Sequence, residues 1–251
     1  MNVEEIPMQT VSILGVPFSK LSLDETVNEL HRRLDRNDPQ LFHLITANPE
    51  IVMNARKDSE LRRIVEQADM ITPDGIGIVL ASRFKGEPVP ERVTGYEMLL
   101  RLLALGHEHG WSFYFLGADE ETSKKAVDII KNQYPGLKVA GRHNGFFTAD
   151  DEPQLVEQIA SVKPDLLIVA MGAPRAEKWI FKYKSRLSVK LAMGVGGSLD
   201  VIAGKVKRAP IVWQKLNLEW LYRLLRQPSR WRRQLVLPQF AILFLLKGRK
   251  S

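Results

Sequence analysis

The chain has 251 residues, 45% of them hydrophobic, enough for one well-buried α/β domain with a modest appendage and cramped for two full domains. It has no cysteine, which excludes disulfides, thiolate metal sites and cysteine nucleophiles. Its formal charge of +7 is concentrated at one end, because positions 205–251 hold 12 Lys and Arg against a single acid, Glu219, a net +11 that leaves positions 1–204 at −4. Such a segment seeks an anionic partner: nucleic acid, anionic lipid or a phosphorylated substrate.

Read in chain order, the first residues, Met1-Asn2-Val3-Glu4-Glu5-Ile6-Pro7, are acidic where a secretory signal is basic and have no apolar core after them, so a cytoplasmic location is expected. Apolar runs rich in Val, Ile and Leu then recur between amphipathic stretches, the pattern of buried parallel strands joined by crossover helices. Candidate strands are 11–14, 41–46, 70–72, 112–116, 138–140, 165–170 and 190–195. Three helix starts are legible: the Ser22/Glu25 capping box, Asn48 followed by Pro49, and Asp119 ahead of a helix to about Gln133. The expected fold is Rossmann-like α/β, a mostly parallel sheet flanked by helices, occupying 1–204.

After Gly204 the character changes. Residues 213–226 read as one amphipathic helix with Leu216, Trp220, Leu221, Leu224 and Leu225 on its apolar side. Pro228 ends it, Arg230, Arg232 and Arg233 surround Trp231, and a last apolar run, 235–246, is too short to cross a bilayer. Trp213, Trp220 and Trp231 all fall in this basic region and suit the headgroup level of a membrane surface. Segment 205–251 is therefore read as a membrane-associating appendage. A nucleic-acid-binding arm is the competing reading of its charge, but such an arm gains nothing from exposed Leu and Phe.

In an open α/β sheet, ligands bind where strand carboxyl ends meet helix amino termini. The residues there are Thr46-Ala47-Asn48, where Asn48 reads equally as a helix cap, and Pro73-Asp74-Gly75-Ile76-Gly77. In the latter Asp74 is placed to act as a general base, and Gly75 and Gly77 would admit a ligand close to the backbone; the alternative is a plain Pro-Asp-Gly turn. Arg92, in Glu91-Arg92-Val93-Thr94-Gly95, could hold a phosphate or lie solvated on the surface. Two small-residue turns, Met171-Gly172-Ala173-Pro174-Arg175 and Gly194-Val195-Gly196-Gly197-Ser198, could bind a diphosphate through backbone amides. Neither is a dinucleotide fingerprint, since Leu199 stands where its third glycine would be, and there is no Walker A sequence. This disfavours nicotinamide and ATP enzymes, and with them an epimerase. The five histidines show no HExxH spacing and the chain has no Asp-x-Asp pair, so chemistry without a metal or other cofactor is expected. Arginines of the appendage would then neutralise a departing diphosphate.

These motifs together resemble the WecG/TagA/CpsF glycosyltransferase family over nearly the whole chain. The resemblance rests on Thr46-x-Asn48-Pro49-Glu50, Pro73-Asp74-Gly75-x-Gly77, Arg92-Val93-Thr94-Gly95, Phe115-Leu116-Gly117, Gly145-Phe146-Phe147, Met171-Gly172-x-Pro174, Gly194-Val195-Gly196, and Arg208-Ala209-Pro210 followed by Asn217-Leu218-Glu219-Trp220. It implies an inverting, metal-independent transferase. The donor would be UDP-N-acetylmannosamine, the acceptor undecaprenyl-diphosphate-linked N-acetylglucosamine, and the setting the linkage unit of wall teichoic acid at the inner face of the plasma membrane. The same family also uses other UDP-hexoses, UDP-N-acetylmannosaminuronate or UDP-glucose, in common-antigen and exopolysaccharide synthesis. By the same resemblance Asp74 is the base, Thr46, Asn48 and Arg92 line the pocket, and Arg223, Arg230 and Arg233 close over it from the appendage. Nucleic acid is not an expected partner, and assembly into a homo-oligomer is compatible with the sequence. Two positions depart from the family pattern: Ala176 replaces a usual glutamine, and Glu97 stands where aspartate is more frequent.

Overall fold

The computed structural model describes residues 8–36, 38, 40–226, 228 and 231–247. Its centre is a six-stranded sheet in the order β4-β3-β8-β7-β5-β6, with every pairing parallel. The strands are β3 (Phe42–Ala47), β4 (Met70–Pro73), β5 (Ser112–Gly117), β6 (Lys138–His143), β7 (Leu166–Ala170) and β8 (Leu191–Gly194). The four inner strands are almost wholly apolar and buried, as a sheet covered by helices on both faces requires. The expected α/β architecture is thus observed.

Two short strands, β1 (Thr10–Ile13) and β2 (Val16–Ser19), pair antiparallel in a separate hairpin. The sequence reading put 11–14 among the parallel strands and missed β2. The reason is a two-residue turn, Leu14 at φ +52° and Gly15 at φ +89°, in which the glycine is preceded by a leucine, a residue that rarely takes that position.

Helices cover both faces. One face carries α1 (Leu23–Asp35), α5 (Gly95–His109) and α6 (Glu120–Gln133), whose Leu30, Leu102 and Ile130 pack on Leu44, Phe113 and Met193. The opposite face carries α2 (Pro49–Ala55), α3 (Ser59–Glu66) and α4 (Ile76–Lys85) over Ile45 and Ile71. It continues with α7 (Glu152–Val162) and α8 (Arg175–Tyr183) over Leu167, Val169 and Ala192. The expected caps form: Ser22 and Glu25 make a reciprocal capping box, Asn48 accepts from the Ile51 amide at 3.1 Å ahead of Pro49, and Asp119 caps Thr122.

Beyond the short α9 (Ser198–Ile202), the appendage forms α10 (Ile211–Lys215), α11 (Glu219–Arg226), α12 (Trp231–Gln234) and α13 (Val236–Lys247). The single helix expected over 213–226 is therefore two. The break falls at Asn217, which adopts a left-handed backbone at φ +58°, a conformation asparagine tolerates at helix ends. Pro238 lies in the first turn of α13, where its missing N–H would have had no intrahelical partner. Phe240 and Phe244 of α13 are buried in the same cluster as α2 and α4, so the appendage shares a core with the sheet domain.

Candidate active site

β3 and β8 are neighbours, yet the chain leaves them toward opposite faces. α2 follows β3 onto one face, while Leu199 and Ala203, in and just after the helix that follows β8, pack on the other. Diverging connections open a crevice at the strand ends. At its floor the Thr46 hydroxyl donates to the Gly194 carbonyl at 3.4 Å, joining the two strands. Gly95, the first residue of α5, closes down on this pair: a Cβ there would lie 2.9 Å from the Thr46 hydroxyl.

Asp74 leaves the end of β4 beside this floor. Its backbone N–H donates to the Ala47 carbonyl at 2.9 Å, and the residue is half-buried rather than enclosed. Gly75 follows at φ +135° and turns the chain into α4, a geometry that L side chains avoid. Gly77 packs against the Pro49 ring, where a Cβ would stand 2.9 Å from Cγ. These glycines bring the start of α4 against the start of α2, and so Asp74 toward Asn48. The segment carrying Arg92 is tied to the same strand end, since the Val93 amide donates to the Pro73 carbonyl at 2.9 Å and the Thr72 hydroxyl to the Val93 carbonyl at 3.4 Å.

The structure thus gathers Thr46, Asn48, Asp74, Gly75, Gly77 and Arg92 at the ends of β3 and β4. Gly172 and Pro174 form the turn from β7 into α8, across a cis Ala173–Pro174 bond, and Gly196 forms the turn after β8. The Gly172 and Gly196 turns face open space. Ala176, by contrast, is buried under Gly194. Arg230 lies outside the described residues, as do the side chains of Arg223 and Arg233.

Two features went unread in the sequence. The first is Glu177, in the first turn of α8. It is 4% exposed, its Oε2 finds no hydrogen-bond partner among the described residues, and its Oε1 lies against Gly194. Burial raises its carboxyl to about 7, because a charged form would stand desolvated, an effect that outweighs the backbone hydrogen bond favouring it. The second is an alternating chain of charges. Arg92 donates to Glu219 at 2.7 Å; Glu219 also meets Arg208 at 3.4 Å, and Arg208 donates to Glu97 at 2.7 Å. Glu97 in turn accepts from the hydroxyl of Thr94, the cap of α5. A signal for this network was present, since Glu219 is the one acid among 12 bases in 205–251.

The appendage leaves several large apolar side chains exposed. Ile242 is 60% exposed and Leu246 77%, with Leu235, Leu245 and Trp231 also open to solvent, and Leu80 and Phe84 of α4 stand exposed on the core beside α13. Among the described residues no helix is long and apolar enough to cross a membrane.

Comparison with known proteins agrees with this arrangement. The family model described as Glycosyl transferase WecG/TagA/CpsF family matches residues 11–251. The chain is 36% identical over 245 residues to the N-acetylglucosaminyldiphosphoundecaprenol N-acetyl-beta-D-mannosaminyltransferase of Bacillus spizizenii, a match covering 97% of this chain and 94% of that one. The protein of the same name from Bacillus subtilis is matched to the same extent. That of Staphylococcus aureus strain MRSA252 is 36% identical over 215 residues, 86% of this chain and 84% of its own. A parallel α/β sheet with a crevice at its strand ends, a docked helical appendage and relatives along nearly its whole length make this chain a glycosyltransferase that belongs to the WecG/TagA/CpsF family.

Proposed function

We propose that the protein transfers N-acetylmannosamine from UDP-N-acetylmannosamine to N-acetylglucosamine carried on undecaprenyl diphosphate, with inversion and without a metal. The observation that carries the reading is the half-buried Asp74 carboxylate at the β4 end, in the company of Thr46, Asn48 and Arg92, where the connections of β3 and β8 diverge. The relatives' names support the sugar and the acceptor.

In this reading the donor diphosphate lies along the turns at Gly172–Pro174 and Gly196. A hydroxyl of the acceptor sugar attacks the anomeric carbon from the face opposite UDP. Asp74 takes the hydroxyl proton as the new C–O bond forms, and the old C–O bond breaks with its electron pair leaving on UDP. One displacement of this kind inverts the anomeric centre. The charge that develops on the diphosphate is met by Arg223, Arg230 and Arg233, guanidinium groups suited to phosphate oxygens. The division of labour is then 1–204 for the sugar nucleotide and 205–251 for closure and for the membrane. An anionic bilayer is the favoured partner surface over nucleic acid because the basic appendage also exposes Ile242, Leu245 and Leu246. The protein would sit peripherally on the inner leaflet, where a nucleotide sugar and a lipid-linked acceptor meet.

A panel of UDP-sugars, including the glucose and N-acetylmannosaminuronate donors, incubated with lipid-diphosphate N-acetylglucosamine tests donor and class together. Transfer from UDP-N-acetylmannosamine with an inverted linkage is expected; preference for another UDP-hexose would correct the donor, and no transfer from any would end the reading. Asp74→Asn should fold and bind UDP as the parent does while turnover falls on the order of a hundredfold or more, and an unchanged rate would leave Asp74 as a turn residue.

A further inference from the structure

We propose that Glu219 is a positioning residue that seats the carboxyl-terminal helices over the crevice, by holding one arginine of the core and one of the appendage in a single buried carboxylate. Its side chain is 10% exposed, and Arg92 and Arg208, which it meets, come from different parts of the fold. Arg92 stands on the segment bound to the β4 end, whereas Arg208 precedes α10. Arg208 carries the connection on to Glu97 at 2.7 Å and lies over the Tyr96 ring, 4.8 Å from its centroid. Both of these residues belong to the first turn of α5, whose Gly95 rests on Thr46. The chain of charges therefore runs from the foot of α11 to the crevice floor.

The energetics favour a latch over an incidental surface pair. An exposed ion pair contributes little, but a carboxylate buried between two guanidiniums cannot lose either without stranding a desolvated charge. Glu219 also opens α11, where the helix dipole favours an anion. Within these four side chains, two acids balance two bases. A second anchor is apolar and lies further along, where Phe240 and Phe244 of α13 are buried with α2 and α4. Between the two anchors lie α11 and α12, the stretch of chain that carries Arg223, Arg230 and Arg233. Releasing the first anchor should therefore free that stretch while leaving the second in place.

Hydrogen exchange on the full chain reads this directly and does not depend on what the enzyme transfers. Glu219→Gln keeps the shape and removes the charge, and Glu219→Ala removes both. Each should speed exchange of the 219–226 amides on the order of tenfold while the amides of 236–247 and of the sheet keep their protection. The kinetic arm rests on the proposed function: kcat should fall on the order of tenfold with donor KM within about twofold, because the arginines act on the departing charge. Glu219→Asp should recover part of the loss. Arg208→Ala combined with Glu219→Ala should be no worse than the more severe single variant, as expected of two groups in one device. Unchanged exchange over 219–226 in Glu219→Gln, or losses that multiply in the double variant, would overturn the proposal. Faster exchange in an enzyme that transfers no sugar would sustain the latch and count against the proposed reaction alone.

Discussion

Single side chains decide most of what this site can do, and Glu177 shows how far one can depart from its expected behaviour. Its buried carboxyl, one oxygen of which has no hydrogen-bond partner among the described residues, is raised to about 7 from an ordinary 4.5. The folded protein therefore holds that proton more tightly than the unfolded chain does. Stability declines as pH climbs from about 4.5 toward 7, and the full cost is present above that. Glu177→Gln, neutral at every pH, should stabilise the fold at pH 8 by on the order of 3 kcal/mol and lose that advantage near pH 5; urea unfolding at the two pH values measures it. An equal effect at both would mean that the carboxyl titrates in the fold as it does in the unfolded chain. The sequence made Asp74, Thr46 and Asn48 legible as strand-end residues because turns with Gly and Pro punctuate them, and Arg92 as a residue of the loop ahead of α5. It could not expose Glu177, because nothing local distinguishes a helix-start glutamate facing solvent from one facing Gly194. Arg92 was legible as a ligand-class residue but not as the partner of Glu219, 127 positions away.

At the level of strands and helices, local signals carried the reading wherever the element was long and capped. β3, β5, β7 and α6 fall within a residue or two of their expected positions and α1 starts at its expected cap, since buried runs and Ser, Asn or Asp caps are written in adjacent residues. The hairpin β1–β2 and the break at Asn217 were lost at turns that each include a non-glycine residue with positive φ, Leu14 and Asn217. Where glycine does make the turn, it is required. Gly117 ends β5 at φ +130°, and a Cβ there would stand 2.4 Å from the Ala170 backbone. Backbone cannot retreat as a flexible side chain can, so β5 and β7 would have to separate. Gly117→Ala should lower stability by about 2 kcal/mol or more, visible as a reduced thermal midpoint; an unshifted midpoint would show that the strand ends relax freely.

For the molecule as a whole, the sequence divides at Gly204 more cleanly than the structure does. Charge and composition change there, but Phe240 and Phe244 return to the sheet domain and complete the cluster over Ile45 and Ile71. A chain ending at Gly204 should keep its sheet, since every strand lies before that point. It should also melt at lower temperature, aggregate through the uncovered α2 and α4 surface, and lose both sugar transfer and binding to anionic vesicles. Full transfer by that fragment would remove the appendage from the mechanism, and undiminished vesicle binding would move the membrane contact to the core.

The placement of β8 bears on how the enzyme is made. It is the last strand in sequence, yet it lies between β3 and β7. A nascent chain that has not reached residue 191 holds two half-sheets, β4-β3 and β7-β5-β6, with nothing to join them. Such long-range closure is slow relative to local pairing. The crevice floor, which needs Thr46 and Gly194 side by side, cannot exist until synthesis has passed that strand, and the basic segment 205–251 is translated only afterwards. The order of translation thus completes the sheet before the basic segment is made.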